Sequence, residues 1–301
     1  MAGSSLPRRA LGRTLRNYRT RAGYKQSDAG AVLETSPQSV SRMEDGQRIK
    51  ISTAQIKVLL DFYGMSEPNS ERDEILSLWA EVRRHDQIAK AQGTGRGWWR
   101  SYSDQLDGHF DHYLSLEAAA NRLTSHQLSL IPGLLQTTEY RRGLIQASEL
   151  DLSAVNIERR LEFAARRRAR LDEDDFWLDA LLSEAVLRHH PGGPSVMADQ
   201  LRWLAEVSEH MSVTVRVVPF NVDVNSGLLF HSFTLLEFPP VTSRSVEPPV
   251  VYLEGYEGAL YLDQADSITR FRRAITSIER VALSENASRD LVWRIAKECT
   301  G

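Results

Sequence analysis

The sequence predicts a mainly α head of five helices followed by an α+β domain with a helical lead-in. Three observations carry this reading. The first 90 or so residues place their apolar side chains at helical spacings, residues 88–101 are glycine-rich, and the second half turns to short β-branched and aromatic runs that alternate with helical patterns. The boundaries follow as a head over 1–90, a hinge over 91–101 and a body over 102–301, itself helical over 102–175, strand-rich over 176–262 and helical again over 263–301.

Composition narrows the class before any element is placed. A chain of 301 residues with 42% hydrophobic and 26% charged content has room for two or three globular domains and too much apolar material for extensive disorder. No apolar run approaches the roughly 18 to 20 residues of a membrane span. The opening MAGSSLPRRALGRTL has no apolar signal core, which predicts a cytoplasmic location. A single cysteine, Cys299, excludes an intramolecular disulfide and a cysteine-based zinc site, as expected in a reducing compartment. The net charge of −3 hides an asymmetry: residues 1–65 carry 11 Lys and Arg against 5 acids, and residues 66–301 carry a net −9. A basic head on an acidic body suits a head that meets a polyanion.

In the head, Leu11, Leu15 and Tyr18 recur at spacings of four and three within a helix over 6–22 that Gly23 stops. A second short helix over 25–33 buries Ala29, Val32 and Leu33. Ser36-Pro37-Gln38-Ser39-Val40-Ser41-Arg42-Met43-Glu44-Asp45-Gly46 is a third, delimited by an N-cap serine, a proline at the first position and a glycine for the left-handed exit. Val40 and Met43 share one side, leaving Gln38, Ser39, Ser41 and Arg42 for the others. That outer set suits base edges and phosphates in a major groove, where Gln pairs with adenine and Arg with guanine. Helix, tight turn and polar helix in about twenty residues make a helix-turn-helix arrangement. A fourth helix, capped by Ser52 or Thr53, carries Ile56, Leu59, Leu60 and Tyr63, and a fifth from about Asn69 carries Ile75, Leu78, Trp79 and Val82.

The run LGRTLRNYRTRAGYKQSDAGAVLETSPQSVSRMEDGQRIKISTAQIKVLLDFYGM resembles the helix-turn-helix domain of the Cro/cI-type, or xenobiotic-response-element, family of bacterial regulators. The matching features are the LRxxRxxxGxxQ opening, Ala29, SPQSVSRMEDG and the late LLDFYG. Gly30 departs from the pattern, where Leu-Ala is usual, and costs about 1 kcal/mol of helix propensity against alanine. The resemblance implies that Gln26 bonds a phosphate and orients the reading helix, that Gln38, Ser39 and Arg42 face bases, and that Ser41 and Arg48 hold the DNA backbone. One small head makes too few contacts for tight recognition, so a homodimer on a pseudo-palindromic operator in double-stranded DNA is expected.

Following the glycines of the hinge, the paired Trp98 and Trp99 are either a nucleic-acid stacking platform or an anchor that packs the linker, the more frequent role of large aromatics. Helical segments are expected over 102–122, 139–147 and 154–171, with Ile131-Pro132-Gly133 as a turn. The run Arg166 to Arg170 followed by acids at 172–175 is expected to be a solvated, self-compensating surface, with a second DNA contact as the alternative. Strands are expected over 176–182, 213–219, 228–238 and 249–254, a helix over 195–210, and two closing helices over 264–283 and 284–297. The helix over 195–210 allows parallel pairing of its flanking strands without demanding it.

The segments GWWRSY, SHQLSLIPGLLQTTEYRRGLI, SEAVLRH, GGPSVMADQLRWL, VTVRVVPF, FTLLEF and VVYLEG are similar to the C-terminal domain of a large set of actinomycete regulators, described as antitoxin-like and including the WhiJ-like proteins. The similarity spans about 95–298. It implies control by a small partner protein encoded nearby; a small-molecule effector enclosed by the strand-rich body is the alternative.

Catalytic and cofactor signatures are sparse. Asp107, His109, Asp111 and His112 have spacings that let metal ligands converge on a helix, but without the HExxH order, and Phe110 and Tyr113 mark the adjoining face as core. There is no GxSxG, GxxxxGK[ST] or GxGxxG in strand-helix context, so no cofactor is expected and the chain is expected not to be an enzyme. Were it one, Glu184, Glu254 or His109 would have to supply the acid-base pair. Glu184 and Glu254 each end an apolar strand-like run. They either bind a ligand or partner group or are carboxylates solvated at strand ends.

Overall fold

The computed structural model describes residues 6–91, Trp99, Tyr102, 110–149, 151–222, Gly227, 229–240, 247–255 and 258–300, with the side chains of 85, 88–91 and 111 left aside. The chain forms two compact units, the first comprising Met1–Ala119 with Pro239–Glu247, the second Ala120–Phe238 with Pro248–Gly301.

Unit 1 is helical: α1 (Leu6–Arg21), α2 (Gln26–Val32), α3 (Pro37–Glu44), α4 (Thr53–Phe62), α5 (Ser70–Ala91) and α6 (Phe110–Glu117). The expected apolar stripes meet in one core in which Leu15, Ala29, Val40, Ile56, Leu59 and Leu60 have no exposed surface. Gly12 on α1 explains how closely α1 and α3 cross. A Cβ there would lie 2.5 Å from the Met43 carbonyl oxygen and 2.6 Å from that of Glu44. Unit 1 also takes in Glu247, a carboxylate 1% exposed against α1. Arg9 Nε donates to it at 2.7 Å, and Arg13 donates through both terminal nitrogens at 2.6 and 2.7 Å.

Unit 2 is a six-stranded mixed sheet with helices. In chain order come β1 (Arg122–Gln127), α7 (Thr138–Ser148), α8 (Ala154–Arg168), β2 (Trp177–Ser183), α9 (Glu184–Arg188), α10 (Pro194–Val207), β3 (Val213–Val218), β4 (Phe233–Glu237), β5 (Val250–Gly255), β6 (Gly258–Leu262), α11 (Ala265–Val281) and α12 (Glu285–Glu298). The strand order is β3-β2-β1-β4-β5-β6. β1, β2 and β3 run parallel through helical crossovers, and β4, β5 and β6 continue antiparallel. α11 lays Ile268, Phe271, Ile275 and Ile278 on a sheet face built from Leu181, Phe233, Leu235 and Val251.

The fold class is therefore the expected helical head followed by an α+β body. Within it, β1 begins where the expected helix over 102–122 ends, in a stretch before the turn at 131–133 where no strand was expected. Leu123, Thr124, Ser125 and His126 are all buried, because β1 lies between β2 and β4 and is covered on both faces. A strand in that position shows no alternation, and its polar residues disguise it further. β6 and α9 were also unforeseen, and the strand expected over 228–238 is confined to Phe233–Glu237. The 166–170 run is the expected solvated surface only in part: Arg166 and the acids at 172–175 are exposed and Arg170 pairs with Glu173 at 3.3 Å, but Arg167 is buried and Arg168 and Arg170 are half-buried. Arg168 donates to the Gln136 carbonyl and covers the Trp203 ring, and Arg170 donates to the Ala120 carbonyl and covers Phe176. Asp107 and His109 lie outside the described residues, as does Trp98, whereas Trp99 is buried. Among the described residues no three His, Cys, Asp or Glu side chains group as metal ligands, and no helix is long and apolar enough to cross a membrane.

Candidate nucleic-acid interface

The candidate site is α3 and the elements that hold it. Ser36 caps the helix by accepting from the Ser39 backbone N–H at 3.2 Å, Pro37 occupies the first turn, and Gly46 exits with φ of 71°. The turn from α2 carries Glu34 at φ of 53°, and Gln55 on α4 donates to the Leu33 carbonyl at 3.3 Å. Val40 and Met43 are buried against the head core, as the spacing requires.

The anchor of α3 is Glu44, 1% exposed. Arg19 of α1 grips it with Nε at 2.6 Å and Nη2 at 2.9 Å, while Gln26 of α2 donates through Nε2 at 3.0 Å. Arg16 stands 3.5 Å away and also pairs with Asp45. Burial pushes the Glu44 carboxyl up, but the hydrogen bonds from Arg19 and Gln26 and the charges of Arg19 and Arg16 outweigh it, leaving the group below its ordinary value. The Arg19 guanidinium is correspondingly raised, chiefly by its hydrogen bond to Glu44 against the opposing effect of burial. One ionised carboxylate thus joins three helices of the head. It lies four residues after Val40, on the buried face, and that spacing was the signal by which the sequence could have disclosed it.

The residues expected at the DNA fall into distinct situations. Gln38 and Arg42 are exposed and have no hydrogen-bond or ion-pair partner among the described residues. Ser39 and Ser41 are half-buried, with the Ser39 hydroxyl 3.1 Å from that of Ser36. Gln26 is occupied with Glu44 and so contributes to the orientation of α3. Arg48 is exposed, its Nε 3.9 Å from Asp86.

In unit 2, the two glutamates part company. Glu184 opens α9 and is 9% exposed, with Oε1 accepting from Arg188 Nε at 2.8 Å and Oε2 from the Phe220 backbone N–H at 3.1 Å. It ties α9 to the chain that follows β3. Glu254 stands exposed near the end of β5.

Comparison with known proteins gives two family matches along the chain. Residues 10–74 match the family model described as helix-turn-helix domain, which supports a DNA-binding regulator in general. Residues 110–294 match the model described as domain of unknown function (DUF5753). No curated protein and no solved structure matches the chain. Since the second match spans more than half of the 301 residues, the chain belongs to the DUF5753 family, its family domain preceded by a helix-turn-helix head.

Proposed function

We propose that the protein is a sequence-specific transcriptional regulator of the Cro/cI, xenobiotic-response-element kind, in which α3 enters the major groove of an operator. The observation that carries this is the outer face of α3, where Gln38 and Arg42 stand exposed without partners among the described residues while Glu44 locks the opposite face to α1 and α2. A rigid helix with uncommitted bidentate side chains is what base recognition needs. Gln38, Ser39 and Arg42 read bases, and Ser41 and Arg48 hold the DNA backbone. Gln26 fixes the helix and borders a phosphate. Two heads in a homodimer span a pseudo-palindromic site. The antitoxin-like body regulates rather than catalyses, through a small partner protein of the actinomycete type.

The test is a Gln38→Ala, Arg42→Ala double variant on an operator selected with purified protein. Each bidentate contact contributes about 1–3 kcal/mol of discrimination, so the pair should lose on the order of a hundredfold or more in specific affinity with an unchanged melting curve. Full operator affinity at moderate salt would overturn the role of α3. A monomer by light scattering that still protects a full palindrome would overturn the dimer. Control by a partner predicts that the product of the adjacent reading frame changes operator affinity when added to the full chain; no change removes that part.

A further inference from the structure

Among the described residues, Arg141 of α7 has no carboxylate within ion-pair distance. Its Nε is buried with no hydrogen-bond partner there, and its one hydrogen bond to a described residue runs from Nη1 to the neutral Oε1 of Gln136 at 3.4 Å. That Gln136 is itself fixed, donating to the Ile131 carbonyl at 2.7 Å. α7 packs on α8, which brings Arg160 and Arg167, seven residues apart, to the same region. Arg160 is paired with both oxygens of Glu149. The Arg167 guanidinium lies over Phe163 and against Gly133, where a Cβ would sit 3.3 Å from Nη1. Glu254, exposed near the end of β5, is the carboxylate whose charge reaches Arg141, yet it makes no hydrogen bond to it. Burial first, then the charges of Arg167 and Arg160, bring the Arg141 guanidinium down to about 10, against the pull of Glu254.

A buried guanidinium normally carries its own carboxylate, because an unpaired buried charge is costly. Here Arg160 takes both oxygens of Glu149, and Arg141 faces an amide. A planar fork with spare donors is matched by a carboxylate or a phosphate, which it can engage through two parallel bonds. We propose that Arg141, with Arg167 beside it and Glu254 at the solvent-side rim, forms a binding site for the oxyanion group, carboxylate or phosphate, of a small molecule. Glu254 sets the affinity of that site by repelling the anion, and it selects ligands whose next group is a cation or an N–H donor.

The site is independent of the role of α3, and calorimetry on the full chain without DNA tests it directly. Inorganic phosphate and malonate are the probes, titrated separately at matched ionic strength against sodium chloride. One equivalent of phosphate or of malonate per chain is expected, and the better binder tells which oxyanion the ligand carries. Arg141→Gln should weaken binding about tenfold or more, as loss of a charge-assisted hydrogen bond does. Arg42→Ala, in the head, should leave it unchanged. Glu254→Gln, a substitution at an exposed position that spares folding, should tighten binding severalfold. Absence of one-site binding for both probes overturns the proposal. So does binding that Arg141→Gln leaves intact or that Arg42→Ala abolishes, and so does a Glu254→Gln chain that binds no better than the parent.

Discussion

Two buried titratable groups decide most at the scale of single residues. Among the described residues Glu44 is satisfied by Arg19, Gln26 and Arg16, all from earlier helices. Removing one member of a buried ion pair leaves its partner uncompensated and costs about 3–5 kcal/mol. Glu44→Ala should therefore lower head stability by about that amount in denaturant titration and should abolish operator binding although no DNA contact is deleted. His126 on β1 has the opposite character. Its ring nitrogens face the carbonyls of Leu181 at 3.2 Å and Gly227 at 3.3 Å, and burial, outweighing those carbonyls, holds the imidazole below its ordinary value of 6.5. The unfolded chain then takes up the proton first. The contribution of His126 to stability is intact above pH 6.5 and declines as the pH falls below it. Melting temperature should drop between pH 7.5 and 5.5, and His126→Gln should flatten that part of the drop; an unchanged slope would show that His126 does not titrate on unfolding.

Among the elements, the α2–α3 pair shows why a poor helix former is retained. A Cβ at Gly30 would sit 2.8 Å from the Thr35 carbonyl oxygen. Gly30→Ala gains about 1 kcal/mol of helix propensity but forces apart the turn that aims α3, at about 1–3 kcal/mol for overpacking. The variant should be less stable than the parent by thermal melting, against the propensity scale. Gly12→Ala, meeting two carbonyls at 2.6 Å or less, should be worse. These cases mark what a sequence discloses. The limits of α3 were readable because cap, proline and exit glycine act within one turn of the residues they serve. The reason for Gly30 was hidden, since it depends on a backbone atom that only the folded turn brings near. β1 escaped notice for a related cause: its Thr124, Ser125 and His126 look like loop residues until both sheet neighbours are in place. The Arg141 site draws on α7, α8 and β5, so no local pattern could announce it. Glu254 was picked out by its position alone and Glu184 with it, yet only Glu254 remains open to solvent.

Across the whole molecule, charge separates the two roles. Residues 1–65 are net positive and the remainder net negative, so the phosphate-dependent part of binding belongs to the head. Each phosphate contact contributes about 0.9 to the slope of log K against log salt. Arg48→Ala should reduce that slope by about 2 if two heads bind together and by about 1 if one binds alone, with nearly equal loss on specific and random DNA. A loss confined to the operator would move Arg48 from the backbone to a base.

Glu247 bears on how the protein can be taken apart. The first unit is assembled from two stretches of chain, and the carboxylate that neutralises Arg9 and Arg13 arrives with the later one. A fragment ending at residue 119 would keep α1 to α6 and lose that carboxylate, leaving the head more positive toward any polyanion. Such a fragment should stick to random DNA more tightly than the full chain does, and its apparent selectivity would fall. The head is thus not a detachable cassette. Moving this head onto another body would have to carry Glu247 along with the helices, or supply Arg13 with another acid.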